Sequence, residues 1–273
     1  MLLIIFTLVG CSSVDVAPPA QVQPLPQVRV VFDSFVNSNY GKRRSLHGWQ
    51  TTQTAIETTL KLWYDQMQVR QTVADGTPAD LQRFLLALPG PEECDISVVY
   101  LGSIQNAAAD WEFVNGDIAN WRTLLAAAPP PAHPCRIVIL DACSAAAVRN
   151  ISAWAERLGT VTLLASDTHE ETYQFSPSAL LPINVQNRYP LAWAWAQTRL
   201  PPDWSKHISF LGLMWIETVA KRPSPPADKT GWTQFFYACG QNAATFQQTI
   251  SQRWGSTLML YAPLTASPAA VPY

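Results

Sequence analysis

The chain has 273 residues, of which 48% are hydrophobic and 14% are charged, and its formal net charge is −2. This length and apolar content are sufficient for one substantial core, so we expect one domain with short appendages rather than two equal domains. The charge balance lacks the basic footprint of a nucleic-acid-binding protein, and we expect no nucleic acid as a partner.

Residues 1–10 form an apolar run that is shorter than the roughly 20 residues a membrane-spanning helix needs. The run ends at Leu8-Val9-Gly10-Cys11, which resembles the box of bacterial lipoproteins, and Ser12 follows. The resemblance implies that 1–10 is a signal peptide and that Cys11 is the lipidated first residue of the mature chain. It also implies a membrane-anchored protein of the bacterial envelope, and Ser12 favours the outer membrane, facing the periplasm. The alternative is a frayed apolar N-terminus on a cytosolic protein.

Residues 11–27 are rich in Pro, Ala, Gln and Val without periodicity, which predicts an extended tether. The folded domain is expected over 28–262, with a C-terminal tail at 263–273. Its first strand is predicted at 28–35, followed by a polar loop at 37–47.

The next segments alternate between helical and extended patterns. The spacing of apolar residues predicts a helix over 49–67, a short strand at 69–73, a helix over 79–88 and a strand at 96–105. Thr77 before Pro78 predicts an N-cap with proline at the first helical position. Strands alternating with helices are typical of a parallel, doubly wound sheet.

The same alternation continues to residue 165. We predict helices at 117–128 and 151–158 and strands at 136–140 and 160–165. The remainder is predicted as mostly helical, with helices and a last strand at 191–198, 208–220, 233–240, 243–254 and 257–261.

The strand at 136–140 leads into the residues with the clearest chemical potential. Its apolar run ends at Asp141, and Cys143 follows among small residues. The carboxyl ends of parallel strands are where ligands and catalytic groups collect. Cys143 is therefore a candidate nucleophile, and the alternative is that it is a small buried hydrophobe, as free cysteines usually are.

Leu140-Asp141-Ala142-Cys143-Ser144, placed after a strand, resembles the nucleophile motif of the caspase-like cysteine peptidases: caspases, metacaspases and their bacterial relatives. The strand at 96–105 resembles the companion strand that carries the catalytic His of that family in a Tyr-x-x-x-His context. In this chain the pattern reads Tyr100-x-x-x-Ile104. The resemblance covers 28–262 and implies a three-layer α/β/α sandwich with a mostly parallel central sheet.

Ile104 determines what activity is expected. A cysteine peptidase needs a thiolate and a neighbouring imidazole that protonates the leaving amine. Because isoleucine can do neither, the resemblance implies an inactive or strongly impaired homologue that binds a peptide or protein ligand in its cleft. The alternative is an active cysteine endopeptidase in which His169 or His47 supplies the imidazole. His133 lies at the amino end of the Cys143 strand, which is the wrong edge of the sheet.

The polar loop after the strand at 160–165 contains Asp167, Glu170 and Glu171. By resemblance, this region forms part of the first substrate pocket, and its carboxylates would select Arg or Lys. The alternative is a solvated acidic turn. The sequence contains no Cys-x-x-Cys, no His pair at helical spacing and no glycine-rich phosphate loop, so we expect no metal and no cofactor.

Cys94 and Cys135 each stand just before one of two strands that should be parallel neighbours. Such strands lie about 4.8 Å apart, within the roughly 4.4 to 6.8 Å of Cα separation that a disulfide tolerates. An envelope protein matures in an oxidising compartment. We therefore predict a disulfide between them, and the alternative is two buried thiols.

Overall fold

The computed structural model of the protein describes eleven stretches of the chain. These are residues 24–25, 27–39, 48–103, 110–127, 133–142, 161–167, 174–175, 185–204, 208–222, 224–249 and 256–261. The predicted helix at 151–158 lies outside them.

The described residues form strands and helices in alternation. The strands are β1 (Arg29–Val36), β2 (Gln66–Ala74), β3 (Ile96–Ser103), β4 (Trp111–Glu112), β5 (Ile118–Ala119), β6 (Arg136–Ala142), β7 (Val161–Asp167), β8 (Gln174–Phe175), β9 (Ile208–Ser209) and β10 (Ser256–Tyr261). The helices are α1 (Gly48–Trp63), α2 (Pro78–Leu86), α3 (Trp121–Ala127), α4 (Val185–Arg188), α5 (Pro190–Gln197), α6 (Phe210–Lys221) and α7 (Lys229–Thr249).

Six strands form the central sheet in the order β10-β7-β6-β3-β1-β2. Every pairing in it is parallel except that of β10 with β7. Apolar side chains of β3 and β6 alternate between two cores, one on each face of the sheet. Helices α1, α5, α6 and α7 contribute to one core, and α2 and α3 contribute to the other. The predicted three-layer α/β/α sandwich with a mostly parallel sheet is confirmed.

The core under α1, α6 and α7 is dominated by aromatic rings. Trp63, Trp215 and Trp232 have ring centroids 6.0 to 6.3 Å apart, and all three are fully buried. Phe235 packs edge-on against Trp215 at 4.9 Å. These rings fill the core beneath the three helices.

The core on the opposite face is held in place by two arginines that bind the end of α2. In β2, Val69 pairs with Phe32 and Gln71 with Asp33, so Arg70 is the extra residue of a β-bulge. A bulge redirects a side chain, and Arg70 donates to the Asp33 carboxylate and to the Ala87 carbonyl. Arg136 donates to the Pro89 carbonyl at 2.5 Å. These contacts satisfy carbonyls that follow α2 and tie them to the sheet.

Two local expectations were wrong. The predicted helix at 117–128 begins only at Trp121, because Ile118–Ala119 pairs with Trp111–Glu112 as a short hairpin. The two helices predicted on either side of Gly240 are one helix, α7. Buried Phe236, Cys239 and Ala243 maintain helical spacing across that glycine, so tertiary packing overrides its low helix propensity.

The ends of the remaining predicted elements agree with the structure to within a few residues. Thr77 is the N-cap of α2, and Pro78 is its first residue, as predicted. Within the described part of the chain, no helix combines the length and the apolar character needed to cross a membrane.

Candidate functional site

The pairing of β3 with β6 defines the carboxyl edge at which the candidate nucleophile was predicted. Gly102 pairs with Asp141, and Ser103 pairs with Ala142. These are the last described residues of the two strands, and the chain continues from them to Ile104 and Cys143. The two positions that the sequence singled out therefore follow directly from one pair of neighbouring residues. Ile104 and Cys143 themselves lie outside the described residues.

The other predicted site residues are only partly described. Asp167 is the last residue of β7, and its backbone pairs with Ser256 of β10. The segments with His47, Glu170 and Glu171 lie outside the described residues, as do Cys11 and His169.

A buried carboxyl, Asp141, lies at this edge and was not recognised from the sequence as a site residue. Its side chain is fully buried. Asp141 Oδ2 lies 2.6 Å from Ser209 Oγ and 2.9 Å from the Tyr100 hydroxyl. Ser209 is the N-cap of α6, since its Oγ accepts from the Gly212 amide at 3.0 Å. One carboxyl therefore joins the end of β6 to β3 and to the start of α6.

The network extends into α1. Thr52 Oγ1 lies 2.7 Å from Ser209 Oγ and donates to the Gly48 carbonyl at 2.8 Å. A Cβ at Gly212 would lie 2.3 Å from Thr52 Oγ1, so the glycine lets the two hydroxyls meet. A Cβ at Gly102 would lie 3.1 Å from Trp49 Cβ. The first turn of α1 thus lies directly against the carboxyl ends of β3 and β6.

Burial dominates the electrostatics of this carboxyl. Desolvation raises the pKa of Asp141 to about 6, and hydrogen bonds from Ser209 and Tyr100 oppose the rise. The Trp49 indole is near enough to lower this pKa as well, but it does not reach hydrogen-bond geometry: among the described residues, Trp49 Nε1 and Asp141 Oδ1 have no hydrogen-bond partner. Burial and the nearby Asp141 raise the pKa of Tyr100 well above its usual value, so its hydroxyl stays protonated.

The chain just after β1 is also fixed at this edge by a carboxylate. Asp75 Oδ1 accepts from the backbone N–H groups of Ser38 and Asn39, at 2.8 and 3.0 Å. Asp75 has a φ of 53°, which an aspartate adopts more readily than most residues. Gln50 of α1 donates to Ser38 Oγ at 2.8 Å. The polar residues at 38–39 and 75 are typical of turns, but no pattern in the sequence indicates that they contact each other across 36 positions.

The opposite edge of the sheet contains a thiol next to an imidazole. Cys94 Sγ lies 3.4 Å from His133 Nε2. His133 Nδ1 accepts from the Cys135 amide at 3.1 Å, so the ring proton lies on Nε2, which points at the Cys94 carbonyl 3.2 Å away. Burial lowers the pKa of His133 and raises that of Cys94 to about 11. Both groups are neutral, and this pair does not form the thiolate that nucleophilic catalysis requires.

The predicted disulfide between Cys94 and Cys135 is not formed in the structure, where both are buried free thiols. Ser97 pairs with Arg136, so continuing the register places Cys135 opposite Ile96 and Cys94 opposite His133. The cysteines are offset by two residues, because two residues separate Cys94 from Ser97 and none separates Cys135 from Arg136. Among the described residues, no group of His, Cys, Asp and Glu side chains is arranged to hold a metal ion.

The fold and this edge define the chain as an α/β/α sandwich with a candidate site where the parallel strands end. No protein-family profile and no curated protein matches the sequence. Among solved structures, a structure described as pro-sf-caspase-1 is 11% identical with a TM-score of 0.48, over 92% of this chain and 98% of that chain. Caspase-1 from Spodoptera frugiperda gives the same identity and TM-score, over 92% of this chain and 95% of that chain. Similarity at this level assigns neither a family nor a function.

Proposed function

We propose that this chain is a caspase-like cysteine peptidase homologue without a complete catalytic dyad, and that it binds a peptide or protein ligand. The observation that carries the proposal is the register Ser103 to Ala142. Ile104 and Cys143 follow these two paired residues in the chain, and the sequence resemblance assigns them to the family's His and Cys positions.

Chemistry at these two positions explains why little activity is expected. A thiol of ordinary pKa is mostly protonated at neutral pH, and an adjacent imidazole both favours its ionisation and protonates the leaving amine. Isoleucine supplies neither function. Loss of general acid–base catalysis costs on the order of 10² to 10⁴ in rate.

The test restores the missing group. Ile104→His should raise peptidase activity toward a mixed peptide library by about 100-fold, the lower end of the range for acid–base catalysis. The double variant Ile104→His with Cys143→Ala is the matched control and should be inactive. If the unmodified protein already cleaves the library and Cys143→Ala abolishes this cleavage, the chain is an active peptidase instead.

An active endopeptidase with a substitute imidazole is the second candidate. The observation that favours His47 is that Gly48, the next residue in the chain, contributes its carbonyl to the hydrogen bonds around Asp141. His169 follows Asp167, the last residue of β7, by two positions. If this candidate is correct, His47→Ala or His169→Ala abolishes the cleavage that Cys143 supports.

Ligand preference is proposed to involve the loop after β7. Asp167 and Glu170, with Glu171 beside them, would form an acidic pocket for a basic side chain through charge-assisted hydrogen bonds. Thiol-directed peptide probes with Arg, Lys, Asp or Glu as first residue test this. Preferential labelling of Cys143 by the basic probes supports the pocket, and equal labelling by both sets opposes it.

Membrane attachment is proposed through a lipid on Cys11, with the protein on the outer membrane and facing the periplasm. Leu25 donates its amide to the Trp63 carbonyl at 2.8 Å and packs against the core. The preceding 14 residues, 11–24, could span at most about 50 Å when fully extended. Expression in a bacterium with labelled fatty acid should label the wild-type chain and not Cys11→Ala. Recovery of an unlabelled chain that retains Met1 would exclude the anchor.

A further inference from the structure

Five oxygen–oxygen contacts connect the Asp141 carboxyl to its surroundings. Four of them are short: Asp141 to Ser209 at 2.6 Å, Asp141 to Tyr100 at 2.9 Å, Ser209 to Thr52 at 2.7 Å, and Thr52 to the Gly48 carbonyl at 2.8 Å. The fifth, from the Tyr100 hydroxyl to the Trp49 carbonyl, is the longest at 3.3 Å. Each contact needs one proton to be a hydrogen bond.

Counting protons distinguishes the two states of the carboxyl. Ser209, Thr52 and Tyr100 supply one hydroxyl proton each. If Asp141 is ionised, Ser209 and Tyr100 both donate to it, and Thr52 has one proton for two acceptors. One of the two Thr52 contacts, at 2.7 or 2.8 Å, is then left without a proton, as is the contact of Tyr100 with the Trp49 carbonyl.

If Asp141 is protonated, every hydroxyl donates in one direction. Asp141 donates to Ser209, Ser209 donates to Thr52, and Thr52 donates to the Gly48 carbonyl. Only the 3.3 Å contact of Tyr100 with the Trp49 carbonyl is then without a proton. The backbone contacts also fit, because Ser209 Oγ still accepts from the Gly212 amide and Thr52 Oγ1 from the Ser209 amide.

We propose that Asp141 is a positioning residue that acts in its protonated form. Its carboxyl proton begins a one-way hydrogen-bond chain through Ser209 and Thr52 to the Gly48 carbonyl. This chain, named the Asp141 chain below, fixes the end of β6 against the first turns of α1 and α6. The inference concerns described residues alone and stands whether or not Cys143 takes part in catalysis.

The environment of the carboxyl supports this role. Among the described residues, the buried Asp141 Oδ1 has no hydrogen-bond partner, and such an oxygen is less costly in a neutral acid than in an anion. Tyr100 on β3 is the titratable side chain that contacts the carboxyl, and it remains neutral. The other side chains that face the carboxyl are Trp49 and Thr52 of α1 and Ser209 at the start of α6, and all three are uncharged. Burial raises the pKa of Asp141 to about 6, so the chain should break when the pH rises through that value.

The direct test is a titration of the Asp141 side-chain carboxyl carbon by NMR, assigned by its disappearance in Asp141→Asn. We expect a midpoint well above the ordinary value, near pH 6, with the amides of Gly48 and Gly212 shifting at the same pH. In Asp141→Asn these amides should no longer follow that titration. A wild-type midpoint near pH 4 would overturn the proposal.

A second variant tests the direction of the chain. In Thr52→Val the Ser209 hydroxyl keeps only the Asp141 carboxyl as an acceptor. This favours the ionised form of Asp141. Thr52→Val should therefore lower the Asp141 midpoint by about one pH unit, which is a tenfold change in the proton equilibrium. Thr54→Val is the matched control, because Thr54 makes the same hydrogen bond within α1, to Gln50, without touching the chain.

A third variant should move the midpoint in the opposite direction. Tyr100→Phe removes a donor to the ionised carboxyl and should raise the midpoint. This measurement keeps the proposal open to refutation if Thr52→Val does not fold. Equal shifts in Thr52→Val and Thr54→Val, or a lowered midpoint in Tyr100→Phe, would contradict the proposed chain.

Discussion

The two ends of the central sheet bury polar groups in different ways. Toward the amino end, buried polar groups are compensated by fixed charges and backbone contacts. We call this set the amino-end cluster; it consists of Asp33, Arg70, Arg136, Cys94 and His133. Asp33 is fully buried and lies 3.2 Å from Arg70. At the carboxyl end Asp141 is equally buried, and its hydrogen-bond partners in the described part of the chain are the hydroxyls of Ser209 and Tyr100.

The difference shows two ways to offset the cost of burying a carboxyl group: pairing it with a cation, or keeping it protonated. Desolvation raises the pKa of Asp33, and the Arg70 guanidinium opposes that rise, so an ion pair is maintained. No cation faces Asp141 among the described residues, and its pKa rises to about 6. The amino-end cluster should therefore be insensitive to pH near neutrality, whereas the Asp141 chain should respond to it.

The largest expected effect concerns two buried thiols, Cys94 in the amino-end cluster and Cys135 beside it. Burial raises the pKa of Cys94 from 9.0 to about 11 and that of Cys135 from 9.0 to about 12. At neutral pH the thiolate fraction falls by roughly 100-fold and 1000-fold. Alkylation followed by peptide mapping should show at least these reductions relative to the same protein in denaturant.

A disulfide-linked peptide in periplasmic material would instead show that the cysteines can meet despite their offset in register. Alkylation of either thiol at the denatured rate would contradict its burial in the folded protein. Cys239 of α7, also buried with its pKa raised to about 12, is an internal control for protection by the core.

The next effect is on stability. Arg70→Met leaves the buried Asp33 carboxylate without its cation, and breaking a buried pair in this way costs about 3 kcal/mol. Chemical denaturation measures the loss. Arg29→Met is the matched control, since Arg29 and its partner Asp95 have side chains that are 46% and 45% exposed, and exposed pairs contribute little. A stability for Arg70→Met equal to that of the control would mean that Asp33 is held by other contacts.

Asp141 should give a smaller effect that depends on pH. Its folded pKa of about 6 exceeds the unfolded 3.8, so folding favours the protonated acid. The stabilisation is fully present below pH 3.8 and is lost as pH rises through about 6, a fall of about 2 kcal/mol between pH 4 and pH 7. Stability curves of wild type and Asp141→Asn should therefore diverge at low pH. Parallel curves would show that Asp141 has an ordinary pKa.

Sequence patterns predicted the layered fold well, for identifiable physical reasons. Residues 137–140 are all apolar, which is typical of a strand in a parallel sheet that is covered on both faces. Thr77 and Pro78 mark the start of α2 through local chemistry. Both signals arise within a few residues and do not depend on distant contacts.

The polar networks could not be predicted because they depend on long-range contacts. Thr52 and Ser209 meet across 157 positions, and neither is unusual in its own segment. Asp141 stood out only as a neighbour of Cys143, since its two hydroxyl partners come from β3 and from the N-cap of α6. The disulfide prediction depended on strand register, and an offset of two residues separates the cysteines in the structure. Local pattern does not determine such a register.

The smallest expected effect concerns the N-cap of α2, which the sequence predicted correctly. Thr77 and Asp80 form a capping box: the Thr77 amide and hydroxyl donate to Asp80 Oδ2 at 2.8 and 2.7 Å, and the Asp80 amide donates to Thr77 Oγ1 at 3.3 Å. Thr77→Ala should lower the free energy of unfolding by about 1 kcal/mol. Thr54→Ala in α1 is the control and should not be destabilising to that extent, because alanine favours a helix interior.

A second measurement separates the cap from a general loss of packing. The hydrogen bonds from Thr77 are the largest cause of the lowered pKa of Asp80, about 2 against the usual 3.8. A lowered pKa gives stability that is present above pH 3.8 and lost as pH falls through about 2. In Thr77→Ala the Asp80 carboxyl should titrate closer to its usual value, and part of that acid sensitivity should disappear. If Asp80 still titrates near pH 2 in the variant, the Thr77 hydroxyl is not the source of the shift, and the carboxylate is held ionised by its two other donors, the backbone amide of residue 77 and Arg83.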